Sequence, residues 1–157
     1  MANFSIYIEG ATTPTNYAGW SLVLTNGKCR EVSHYMGAVR DCSQRRALYI
    51  ALKHAFELII DHGHAHAFRI SIPDESIFEA VEKNEHRGDP DIGAEELAEL
   101  ARLRSYCAHI TLEPKENKSD AWKTAKVMAE NAYKFGVFGY TAENERRKVA
   151  VTEMRGN

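Results

Sequence analysis

Acidic residues stand at three places where the chain changes from one local pattern to another. Glu9 closes an alternating apolar run, Asp74 follows a short apolar run stopped by Pro73, and Asp120 opens a helical pattern. If the runs that end at Glu9 and Asp74 are neighbouring strands, their ends lie about 4.8 Å apart laterally, and a packed helix terminus can reach them. Such a cluster offers hard oxygen donors, which suit divalent ions such as Mg²⁺. A pair of these ions activates water and stabilises the leaving oxygen of a phosphodiester. The same residue types at element ends also serve as helix caps or solvated termini. Glu75 competes with Asp74. Asp74 sets Ile77 and Phe78 at the i+3 and i+4 apolar positions, whereas Glu75 keeps an acid directly before Ser76. Core packing favours Asp74.

Other side chains carry weaker signals. Arg45 and Arg46 open a helical pattern, where helix N-terminal amides also favour anions, so they are candidates for phosphate contact as well as ordinary surface arginines. Lys115, Lys118, Lys123 and Lys126 surround the last helical pattern as a basic flank or as solvated lysines. His62, His64 and His66 beside Asp61 alternate as a transition-metal set would, but a polar helix-to-strand loop accounts for them better. Trp20 and Trp122 read as core or rim residues.

The elements that must position these groups follow from periodicity. Phe4, Ile6 and Ile8 alternate with polar residues, predicting a strand over Asn3–Glu9 that Gly10 breaks. Further strands are expected over Gly19–Leu24 and Arg30–Met36, joined around Asn26-Gly27, a pair suited to a type I′ hairpin turn. Leu48, Ala51, Leu52, Ala55, Phe56, Ile59 and Ile60 form an apolar stripe at helical spacing, so a helix runs from the N-cap Ser43 to Ile60. A strand over Phe68–Ile72 follows, paired in parallel across that helix. Next come a short helix from Asp74 or Glu75, a second from about Gly93 to Tyr106, a strand over His109–Leu112 and a last helix from Asp120 to about Tyr133. The order is βββαβααβα. The pattern weakens after Lys134, so residues 134–157 read as an appendage to a core of residues 1–133: a tail, a hairpin or a segment that binds a protein partner.

Composition sets the outer limits. The 157 residues suit one domain, and 44% hydrophobic with 27% charged residues allows a core without disulfides. Cys29, Cys42 and Cys107 form no metal-binding or disulfide pattern, no apolar run approaches the ~20 residues of a membrane span, and a signal peptide is not evident; a reducing cytoplasm is expected. A net charge of −2 excludes indiscriminate attraction to nucleic acid while leaving room for a local basic patch.

Four segments resemble the ribonuclease H family, especially its reverse-transcriptase-like branch, over about residues 2–133. Ile6-Tyr7-Ile8-Glu9-Gly10 is similar to the first strand, where an Asp-Gly pair supplies a metal ligand. Cys42-Ser43-Gln44-Arg45-Arg46-Ala47-Leu48 falls where a polar cap precedes Glu-Leu. Ser71-Ile72-Pro73-Asp74-Glu75-Ser76 resembles the fourth-strand Asp-Ser motif with one residue inserted. Pro114-Lys115-Glu116-Asn117-Lys118-Ser119-Asp120-Ala121 is similar to the run leading into the last helix. The resemblance implies an α/β fold with a five-stranded mixed sheet flanked by helices. It implies metal-dependent hydrolysis of the RNA strand of an RNA/DNA hybrid, with Glu9, Asp74 and Asp120 holding Mg²⁺ or Mn²⁺ and Asn117 in support.

Two departures matter. Glu9 replaces the usual Asp. Ala47 stands where the helix carboxylate belongs, and no acid shares its helical face: Ser43, Ile50 and Ala51 are its neighbours there, and Glu57 is about 15 Å away along the axis. A weakened nuclease is therefore expected. The alternative is a catalytically degenerate protein of the same fold that binds nucleic acid or a protein, as inhibitor or recruiter.

Overall fold

A computed structural model describes residues 2–12, 17–28, 30–63, 65–86, 88–114 and 119–134. Cys29, His64, Lys115, Asn117, Lys118 and the segment 135–157, with the partner-binding role considered for it, lie outside the described residues. The elements are β1 (Ala2–Thr12), β2 (Tyr17–Thr25), β3 (Glu31–Arg40), α1 (Gln44–His62), β4 (His66–Ser71), α2 (Glu75–Lys83), α3 (Ala94–Ser105), β5 (Ile110–Glu113) and α4 (Asp120–Lys134). They form one five-stranded mixed sheet in the order β3-β2-β1-β4-β5. The first three strands are antiparallel, and β4 and β5 join in parallel. The α/β class and the βββαβααβα order follow the sequence pattern.

Boundaries differ where tertiary packing overrides local signals. Gly10 does not end the first strand, which continues to Thr12. At Gly10 a Cβ would sit 2.7 Å from the Gln44 carbonyl and 3.2 Å from the Ala47 Cβ, so the absent side chain lets α1 lie directly on β1. The third strand likewise runs to Arg40, because Ala38 and Val39 are buried and pair with Gly19 and Ala18. The expected type I′ turn is not formed. Neither Asn26 nor Gly27 has positive φ; Asn26 instead closes a longer connection, its Oδ1 accepting from the Lys28 and Arg30 amides at 2.9 and 3.1 Å.

The sheet separates two apolar layers. On one side, α1 begins at Ser43, whose Oγ accepts from the Arg46 amide at 3.0 Å, and ends at Gly63 with φ 78°. Its apolar stripe meets Ile6, Ile8, Trp20, Leu22 and Leu24 in the main core. Leu52 and Phe56 are wholly buried, which contributes roughly 1.5–3 kcal/mol each. Trp20 stacks on His54 with ring centroids 4.3 Å apart. On the other side, α4 packs Ala125 against Tyr7 and Val23, with Ala121, Trp122 and Met128 at the margin. The approach is close: the Ser21 hydroxyl donates to the Ala125 carbonyl at 2.5 Å, and a Cβ on Gly19 would fall 1.9 Å from the Ala129 carbonyl.

Candidate functional site

The parallel pairing of β1, β4 and β5 brings their C-terminal ends to the same end of the sheet, and the chain leaves β5 there to enter α4. Glu9, Asp74 and Asp120 belong to this end, yet they meet different neighbours. Alternation along β1 turns Ile6 and Ile8 toward α1 and Tyr7 toward α4. Glu9 shares the face of Tyr7. It is 6% exposed; its Oε1 accepts from the Gly10 amide at 3.1 Å, and its Oε2 accepts from the Trp122 indole N–H at 3.1 Å.

Asp74 serves the opposite layer. It is the N-cap of α2, with φ −121° and ψ 114°, and its Oδ1 accepts from the Ile77 amide at 3.1 Å and from the Ser76 hydroxyl at 2.6 Å. Its Oδ2 faces Arg45 Nη1 at 3.5 Å. Glu75 is exposed in the first turn of that helix, and Ile77 is fully buried, as the apolar spacing from Asp74 requires. Asp120 begins α4 with an exposed side chain. Ala47 is completely buried beneath Gly10.

Arg45 and Arg46 have partners within the chain that their sequence context did not indicate. Arg45 Nη2 donates to Asp89 Oδ2 at 2.5 Å, Nε to Asp91 Oδ2 at 3.2 Å, and Nη1 to the Ser76 hydroxyl at 2.8 Å. Asp89 also accepts from the Tyr49 hydroxyl at 2.9 Å and, through Oδ1, from the Asp91 amide at 2.9 Å. Asp91 Oδ1 accepts from the Ser43 hydroxyl at 2.5 Å. Arg46 pairs with Glu96 at 3.0 Å, and Glu96 accepts from the Gly93 amide to complete a capping box on α3.

Electrostatics follow this geometry. Burial alone pushes the Asp89 carboxyl up, but hydrogen bonds from the Asp91 amide, Tyr49 and Arg45 together hold it below its ordinary value. Burial lowers Arg45, while Asp89 and Asp74 more than reverse this and raise it. Tyr49 is raised by burial and by the adjacent Asp89. The hydrogen bond from Arg46, partly opposed by burial, lowers Glu96. The sequence read the segment from Glu82 to Leu103 as mixed and partly acidic. A signal for Asp89 and Asp91 existed only in their spacing, since their partners lie more than 40 residues away.

A polar cleft of about 270 Å³ opens over the end of β1, between α1 and α4, lined by Glu9, Thr12, Gln44, Lys126 and Glu130 among others. Gln44 Nε2 donates to the Gly10 carbonyl at 3.0 Å and fixes one wall. Lys126 Nζ lies 5.2 Å from the Trp122 ring centroid, so one indole orients a carboxylate by its edge and holds a cation over its face. Trp122 is the site residue that the sequence reading missed: nothing in the spacing links it to Glu9.

The residues present do not fit the paired divalent ions that the family resemblance implies. Glu9 is engaged on the α4 side, Asp74 is engaged by α1 and α2, and the helix position between them is alanine. Among the described residues, no group of three or more His, Cys, Asp or Glu side chains is placed to hold a metal ion. His62 and His66 instead join Phe4 and Phe68 in an aromatic cluster, with Phe4 and His66 in edge contact at 5.0 Å. No described helix is long and apolar enough to cross a membrane.

Neither a protein-family model nor a curated protein matches the sequence. Solved structures do match. An RNase H1 isolated from compost by a metagenomic approach superposes with a TM-score of 0.75 at 17% identity, over 87% of this chain and 99% of that one. RNase H1 from the halophilic archaeon Halobacterium salinarum gives 0.72 at 17% identity, over 85% and 98%. The compost enzyme in complex with an RNA/DNA hybrid gives 0.71 at 16% identity, over 85% and 99%. The chain has the ribonuclease H fold.

Proposed function

We propose that this protein binds RNA/DNA hybrids through its ribonuclease H fold and is a poor hydrolase of the RNA strand. One observation carries the reading: the Asp74 carboxylate is tied to Arg45, Ser76 and the Ile77 amide on one side of the sheet, while Glu9 is tied to Trp122 on the other. Charge-dense catalysis needs these groups together. Support for the ligand comes from the similar RNase H1 that forms a complex with a hybrid. Lys123 and Lys126 on α4 and Arg46 on α1 supply phosphate contacts, with Asn117 preceding α4 in the same surface strip. Arg45, also offered by the sequence for phosphate, acts chiefly as an internal partner of Asp74, Asp89 and Asp91. The thiols of Cys42 and Cys107 are buried and unbridged, which suits a reducing cytoplasm.

A second reading is favoured by the assignment of all three acids to one end of the sheet: a Mg²⁺- or Mn²⁺-dependent hydrolase in which Glu9, Asp74 and Asp120 are the ligands. The same assay separates the two. A labelled hybrid is incubated with the full chain in EDTA, in Mg²⁺ and in Mn²⁺, beside a variant carrying Asp74→Asn and Asp120→Asn. Retention of the hybrid in EDTA, weakening steeply as salt rises, is expected. Cleavage in either metal that the double variant abolishes establishes the hydrolase instead. Absence of retention in EDTA overturns the binding reading.

A further inference from the structure

We infer that Arg45 is the resident cation of a carboxylate cluster formed by Asp74, Asp89 and Asp91, and that its removal uncovers a divalent-ion site which the native protein does not use. The inference stands apart from hybrid binding, because its readout is ion uptake.

The three guanidinium nitrogens each address a different carboxylate: Nη1 faces Asp74, Nη2 Asp89 and Nε Asp91, at 3.5, 2.5 and 3.2 Å. The acids come from the α2 cap and from the segment before α3, so they surround the arginine from two directions. Side-chain exposure is 29% for Arg45, 11% for Asp89, 21% for Asp91 and 26% for Asp74. At this depth water screens the attraction only in part. A planar fork with five donors suits several carboxylates at once, which a lysine point charge does not match.

The remaining lone pairs are also committed. Ser43 donates to Asp91, Tyr49 to Asp89 and Ser76 to Asp74, while the amides of Asp91 and Ile77 occupy Asp89 and Asp74. Arg46, the nearest other cation, reaches the Asp91 carbonyl at 3.4 Å and Glu96. A divalent ion has to displace the guanidinium to gain carboxylate oxygens, and Mg²⁺ sheds its own water reluctantly. Without Arg45, three carboxylates face a common space with no cation among them. Calcium, with oxygen ligands in flexible geometry, tolerates such a cage best.

The test uses the full chain after EDTA dialysis. Thermal unfolding is followed in EDTA and in Mg²⁺, Ca²⁺ and Mn²⁺ at matched ionic strength, with Mn²⁺ binding read by electron paramagnetic resonance. For the native protein, the midpoint is expected to be the same in every condition, with no saturable Mn²⁺ binding in the micromolar range. For Arg45→Met, Ca²⁺ or Mn²⁺ at ten times its Kd raises the midpoint by roughly 4–5 °C. Arg45→Lys, which keeps a cation, remains indifferent to the ions. Saturable Mn²⁺ binding to the native protein that Asp74→Asn abolishes overturns the inference, as does a folded Arg45→Met that ignores all three ions. The native titration decides the matter even where Arg45→Met does not fold.

Discussion

The starts of α1 and α4 lie on opposite faces of one sheet, and both approach acids at the ends of strands. At α1 the basic side chains turn inward. Arg45 gathers Asp74, Asp89 and Asp91, Arg46 takes Glu96, and the result fastens the starts of α1, α2 and α3 to each other. At α4 the contacts are few. Trp122 orients Glu9, Lys126 lies over the indole, and Asp120 is exposed. The contrast separates two uses of a carboxylate at an element end. Acids facing a guanidinium across a half-buried gap become framework, whereas acids beside an open cleft stay accessible to a ligand. In this chain the strand-four acid belongs to the first kind, which divides a constellation that metal chemistry would have to unite.

Four substitutions or conditions test that contrast, beginning with the largest effect. Ala47→Glu restores an acid to α1 but forces it into a site that is fully buried against Gly10. Overpacking and charge burial together should cost about 3 kcal/mol in urea unfolding, with no gain in hybrid cleavage; new cleavage without destabilisation would break the division between the two regions. Arg45→Ala should cost about 2 kcal/mol, a buried-pair loss reduced by partial exposure, whereas Asp120→Asn should change stability by less than about 0.5 kcal/mol. Equal losses would show that the α4 start is framework too. Trp122→Phe removes one charge-assisted hydrogen bond to Glu9 and should cost about 1 kcal/mol while leaving the Arg45 cluster unchanged by NMR.

The smallest effect is on pH dependence. Because Asp89 is held below its ordinary value of 3.8, its contribution is complete above that value and fades as pH falls through the lower folded one. The stability gap between native protein and Asp89→Asn should therefore be constant above about pH 5 and close below roughly pH 3. A gap that persists into acid would mean that Asp89 stabilises by packing rather than charge.

Much of the fold was legible because the periods were clean. Alternation in Phe4, Ile6 and Ile8 and the helical stripe from Leu48 to Ile60 placed β1 and α1 correctly, and Ser43 and Asp74 both act as the caps their types suggested. The errors came from glycine and turn signals. Gly10 looked like a breaker but permits a helix to touch a strand, and Asn26-Gly27 looked like a tight turn but sits in a longer loop closed by the Asn26 side chain. Local rules carry no information on what packs above a residue.

The candidate site was legible as residue types and not as an arrangement. Glu9, Asp74 and Asp120 were identifiable from where the patterns changed, and the absence of an acid at Ala47 was plain from the helical face. The sequence by itself thus determined the alternation, the caps, the order of elements and the shortage of one carboxylate, since each depends on neighbours a few residues apart. Only the tertiary structure decided that Asp74 faces Arg45 and that Glu9 faces Trp122. Those partners lie 29 and 113 residues away, and the sheet between the helices determines which acids can meet.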